Sequence, residues 1–161
     1  DRDLKQNARC VALHAKANAM VCRYESLVMG GARKEQHRLA VVWPQAKRGG
    51  QEIRTVYSRE FAHQGLRYIV VGNDHVRRTF ATLTITGAPV QGQALNDETR
   101  NVVYVNDAQR AHGGKELAQG VLIELQPKQW HVFRLGDEAG SADLPRITQQ
   151  MASTSLRAAR K

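Results

Sequence analysis

Hydrophobic and polar positions alternate along much of the chain with the two-residue period of a β-strand. The clearest stretch is 79–86. There Ala81, Leu83 and Ile85 point to one side and Phe80, Thr82, Thr84 and Thr86 to the other. The run 38–43 (RLAVVW) is apolar and of strand length, and Pro44 closes it. Over 52–61 (EIRTVYSREF) the β-branched and aromatic residues place Ile53, Thr55, Tyr57 and Phe61 on one face. Strands are also expected over 66–71 (LRYIVV) and 101–106 (NVVYVN). Turn signals separate these runs: Lys47-Arg48-Gly49-Gly50, His63-Gln64-Gly65, Gly72-Asn73-Asp74 and Gly87-Ala88-Pro89. The polar stretch 91–100 reads as a loop. The stretch 107–119, with Gly113-Gly114, reads as a loop with a helical turn.

Residues 120–135 carry the strongest local pattern. VLIEL and WHVFRL flank Gln126-Pro127-Lys128-Gln129 and read as a hairpin. Pairing across that turn sets Leu125 opposite Trp130, Ile123 opposite Val132 and Leu122 opposite Phe133. It also sets Glu124 facing His131. A one-residue slip would turn the charged side chains into the core, so the register is well specified. The last stretch, 144–161, reads as a helix with Pro145 in its first turn and Leu144, Ile147 and Met151 on one side.

Near the start, 8–14 and 20–25 read as two strands around the loop Ala15-Lys16-Ala17-Asn18-Ala19, which puts Cys10 opposite Cys22. A disulfide closing so short a loop would stabilise the fold by about 3 kcal/mol in the loop-entropy model. Such a bridge persists in oxidising compartments, so a periplasmic or secreted bacterial protein is expected. The competing reading is a helix over 4–29, on which the two thiols could not bridge.

Seven to eight short strands with turns between them predict a mainly β fold: an antiparallel β-sandwich or barrel with a short C-terminal helix. The expected organisation is one β-rich domain over 1–140 and a basic helix or tail over 141–161. A length of 161 residues suits a single domain. No apolar run approaches the roughly 18 residues of a membrane-spanning helix.

Charge adds a second property. Lys and Arg number 24 against 15 Asp and Glu, a net charge of +9. The excess lies in the first half and the C-terminal tail, and the middle is close to neutral. Such a surface attracts an acidic protein, nucleic acid, an anionic glycan or acidic lipid. Arg54, Arg59, Arg67, Arg77 and Arg78 gather around the turn after residue 73. Tyr57 and Tyr68 lie close enough in the expected strands to stack against a ligand there.

Enzymatic signatures are sparse. The patterns GxGxxG, GxxxxGK[ST], GxSxG and HExxH do not occur. His14, His37, His63, His75, His112 and His131 lack the spacing of a metal site, and neither metal nor cofactor is expected. These features point to a non-enzymatic exported module that recognises another protein through a basic face, such as an inhibitor, an immunity protein or an envelope-assembly subunit. The first alternative is a small RNA-cleaving toxin-like enzyme, with His131 and Glu124 as its acid–base pair and Arg77 and Arg78 on phosphate. The other is a module for anionic glycans or lipid surfaces.

Overall fold

The computed structural model describes residues 24–25, 30–88 and 92–161. The chain order is β1 (Ala32–Lys34), β2 (His37–Trp43), β3 (Lys47–Arg48), β4 (Gln51–Glu52), β5 (Val56–His63), β6 (Leu66–Asn73), β7 (Thr79–Ile85), β8 (Ala94–Asp97) and β9 (Val102–Val105). Helix α1 (Gly114–Gln119), β10 (Val121–Leu125), β11 (Gln129–Gly136), β12 (Arg146–Thr148) and helix α2 (Gln149–Ala159) follow.

The strands make two packed layers. One is a seven-stranded sheet in the order β1-β5-β6-β11-β8-β9-β12, and the other a three-stranded sheet in the order β10-β7-β2. Every pairing is antiparallel except that of β12 with β9. Both sheets are open, so the fold is a β-sandwich and not a closed barrel. The hairpin β3–β4 stands apart from both layers.

The alternation in β7 works as its pattern predicts. Ala81, Leu83 and Ile85 are fully buried between the layers with Leu39 and Val41 of β2 and Val121, Ile123 and Leu125 of β10. Ile69, Val71, Leu95, Tyr104, Phe133 and Leu135 meet them from the seven-stranded sheet. Phe80 points the other way and is covered by the Trp43 ring, 6.4 Å between centroids. Tyr104 ties the layers with its hydroxyl, which accepts a hydrogen bond from the Glu124 amide at 3.0 Å. Burial drives the pKa of that phenol far upward, so it stays neutral.

Four local expectations change in three dimensions. First, β10 and β11 do not form a hairpin: β10 pairs with β7, and β11 lies between β6 and β8 in the opposite sheet. The segment between them is an arch from one layer to the other. Alternation assigns each residue to a face but does not say which strand lies alongside, and an arch satisfies the same apolar pattern. Second, the polar stretch 91–100 contains β8, all four residues of which are buried. Third, residues 146–148 add to the sheet beside β9, so the terminal helix starts only at Gln149. Thr148 caps it by accepting from the Met151 amide at 3.2 Å. Fourth, of the strand expected over 20–25 the described residues Tyr24 and Glu25 are helical. The remainder of that hairpin, including Cys10 and Cys22, lies outside the described residues.

Helix α2 is docked. Gln149 accepts from the Leu122 amide at 2.7 Å, Ala152 is buried, and the Gln150 amide donates to Asp107 at 2.8 Å. No described helix is long and apolar enough to cross a membrane.

Candidate functional site

The strand pair β5–β6 decides where the predicted site residues go. Cross-strand partners share a face, and successive residues alternate. Tyr57, Arg59 and Phe61 therefore lie on the outer face of the seven-stranded sheet, opposite Gly72, Val70 and Tyr68. Val56, Ser58 and Glu60 lie on the inner face, opposite Asn73, Val71 and Ile69.

On the outer face, Trp130 of β11 pairs with Gly72. Its ring lies so close to that glycine that an added Cβ would sit 2.7 Å from it. Tyr57, on the other side of Gly72, is 47% exposed and Trp130 56%. The two rings line a shallow cleft of about 260 Å³ floored by Gly72 and rimmed by Asp74, Lys128 and Gln129. Lys128 and Asp74 pair at 2.6 Å on its edge. The guanidinium of Arg54 stacks over Tyr57 at 5.2 Å, and the tyrosine hydroxyl donates to the Arg54 carbonyl at 2.9 Å. Arg59 is exposed further along the same face, and Arg77 in the β6–β7 turn. Among the described residues neither has an ion-pair partner. Beyond Arg59 the outer face is no longer open. Phe61 and Val132 are buried there, and Tyr24 and Tyr68 pack against them.

The other basic residues point elsewhere. Arg67 is on the inner face, where it binds Glu60 through Nε at 2.9 Å and through the terminal nitrogen at 2.7 Å. Arg78 pairs with Glu124 at 3.2 Å and lies over the Phe80 ring. Tyr68 sits at the far end of the outer face, its pKa raised first by burial and then by Glu98. Arg54, Tyr57 and Arg59 thus lie together along β5 with Arg77 in the turn after β6, whereas the side chain of Arg67 turns to Glu60, that of Arg78 to Glu124 and Phe80, and Tyr68 lies beyond Arg59. Trp130 joins the group. The sequence signal for it is its position at a strand start beside a turn, where a hairpin register sets it opposite Leu125.

Glu124 and His131 do not face each other. The Glu124 carboxylate takes Arg78 and the Gln126 side chain, the latter at 2.9 Å. His131 is fully buried; its Nδ1 lies 2.8 Å from Asp97, and the Gln126 amide donates to its Nε2 at 2.9 Å. An amide donating to Nε2 leaves the proton on Nδ1, which donates to Asp97. Both ring nitrogens are thereby occupied in closing the β10–β11 arch.

A second histidine cluster was not visible as a pattern. His37 on β2 reaches across to β5. Its Nε2 is 2.9 Å from the Ser58 hydroxyl, and its Nδ1 is 3.2 Å from Glu60. Glu60 also accepts from the Gln36 amide at 2.9 Å, and its side chain is fully buried. Ser58 opens into a cleft of about 370 Å³ between the edges of the two sheets, with Leu39, Val41, Ile53 and Val56 among its walls. Only the i, i+2 spacing of Ser58 and Glu60 was available in the sequence, and His37 comes from another sheet.

Among the described residues no three metal-ligating side chains converge. Compared with known protein families, curated proteins and solved structures, the chain matches none.

Proposed function

We propose that the chain is an exported binding module that recognises an acidic patch on another protein through the Tyr57–Gly72–Trp130 cleft and the arginines beside it. The observation that carries this reading is the pairing of two exposed aromatic rings with Arg59 and Arg77, cations that no described carboxylate neutralises. Exposed Trp, Tyr and Arg are the residue types that dominate binding energy at protein interfaces. A lone exposed aromatic would be unremarkable, but a flat ring seated on a glycine beside a second ring forms a preorganised cleft. Unpaired Arg59, on the same face as Tyr57, and Arg77, in the turn after β6, add attraction to carboxylates and raise the rate of encounter.

The test is selection from a displayed library of folded acidic domains against the immobilised chain. Binding is expected to weaken by about tenfold or more in Trp130→Ala and in Arg59→Glu. Raising salt from about 0.05 to 0.5 M is expected to weaken it further, since screening shortens the reach of surface charge. Binders indifferent to both variants and to salt would sink the proposal. So would retention on heparin or RNA alone, which would favour the glycan or nucleic-acid alternative.

A further inference from the structure

We infer that Ser58, His37 and Glu60 form a nucleophile–base–carboxylate triad that hydrolyses esters of short apolar acyl groups in the cleft between the two sheets. The roles follow from the hydrogen bonds. Glu60 is buried and accepts from the Nδ1 side of His37 at 3.2 Å. That leaves Nε2 as the proton acceptor, 2.9 Å from the Ser58 hydroxyl. Such a triad is recognised by geometry and roles and not by order along the chain. Arg67 and the Gln36 amide hold the Glu60 carboxylate from two further sides, which fixes its orientation toward the imidazole. Glu60 is a positioning residue here, and Ser58 and His37 are the catalytic ones.

Ser58 also has somewhere to put a substrate. It lines the larger cleft together with Leu39, Val41, Ile53 and Val56, which suit a small apolar acyl group, and with Gln45, Glu52, Arg54 and Thr55, which add polar groups to the lining. A donor for the developing oxyanion follows from the strand geometry. The Val56 carbonyl accepts from Arg54 Nε at 3.0 Å, so it points to the open edge of β5. Backbone direction repeats every second residue, so the Ser58 amide points to the same edge. There β1 pairs with β5 only from Glu60 onward.

In the first step the Ser58 oxygen bonds to the ester carbonyl carbon, and His37 takes the hydroxyl proton. The alcohol leaves with that proton and an acyl-serine remains. Water then attacks the acyl carbon, His37 accepts its proton and returns it to Ser58, and the carboxylic acid is released. The net change is ester plus water to acid plus alcohol. The catalytic side chains lie on the opposite face of β5 from Tyr57, since Tyr57 and Ser58 are consecutive, and Arg54 borders both sites.

The full chain is treated with a fluorophosphonate, which phosphonylates an activated serine with loss of fluoride, and the adduct is located by peptide mass spectrometry. Hydrolysis of p-nitrophenyl butyrate is followed in parallel. The adduct is expected on Ser58, and turnover is expected to fall about a hundredfold or more in Ser58→Ala and in His37→Gln. Ser153→Ala, on the exterior helix α2, is expected to leave both readouts unchanged. The labelling site is read on the unaltered chain, so it does not depend on a variant folding. Absence of an adduct, an adduct elsewhere, or full turnover in folded Ser58→Ala overturns the inference.

Discussion

Glu60 is a carboxylate whose side chain is fully buried. Burying such a charge is costly unless every lone pair finds a donor, and here Arg67, His37 and the Gln36 amide supply them. Removing one partner should therefore cost far more than removing both. Arg67→Met is expected to destabilise the fold by about 3–5 kcal/mol, and the double variant Arg67→Met/Glu60→Leu to recover much of that loss. Urea unfolding of the three proteins measures it, and additive losses would refute the coupling. His112 has the opposite problem. Its ring is buried, its Nε2 has no hydrogen-bond partner among the described residues, and burial lowers its pKa from the ordinary 6.5 despite the nearby Glu116. The unfolded chain then binds a proton that the folded chain refuses. Stability should be unaffected by this group above pH 6.5 and should fall as pH drops from 6.5 toward the lower folded value. His112→Phe is expected to flatten that part of the pH dependence in urea midpoints. An unchanged slope would remove His112 as its source.

At the scale of elements, the strands that could be read from the chain were those whose apolar residues alternate or cluster. β2, β6, β7, β9, β10 and β11 all begin and end within a few residues of their turn signals. β8 was missed because its residues Ala94, Leu95, Asn96 and Asp97 include two polar side chains that are buried for hydrogen bonding. Asn96 accepts from the Ser141 hydroxyl at 2.7 Å, and Asp97 accepts from the Thr99 and Arg100 amides and from His131. A polar residue satisfied by a distant partner looks the same in sequence as a solvated one. In the sequence, β12 reads as the first turn of a helix because Pro145 suits either role. Its carbonyl accepts from the Val103 amide at 2.9 Å, and that bond to β9 commits the segment to the sheet. Of the candidate sites, the Tyr57–Arg59 stripe was legible because alternation sets the face. Its neighbour Trp130 needed the pairing of β11 with β6, and Ser58–His37 needed the packing of one sheet on the other.

For the whole molecule, net charge and layered architecture set the terms of any partnership. The excess of +9 acts over about a Debye length and steers encounter, and the aromatic cleft confers fit at short range. The compartment bears on both. The proposed Cys10–Cys22 bridge predicts that neither thiol of the native chain alkylates until a reductant is added, and that reduction then exposes both. Mass spectrometry after thiol blocking distinguishes this from two free cysteines, and two adducts without reductant would withdraw the exported setting.

By itself the amino-acid order determined the β class, most strand positions, the buried face of β7 and the sign of the net charge. These are local quantities, carried by a period of two and by the turn residues between runs. Only the tertiary structure decided which strands are neighbours, that residues 121–136 arch between layers, and that His131 serves Asp97 while His37 meets Ser58 and Glu60. Those contacts join residues far apart in the chain. A strand's pattern records that a face is covered but holds no mark of what covers it.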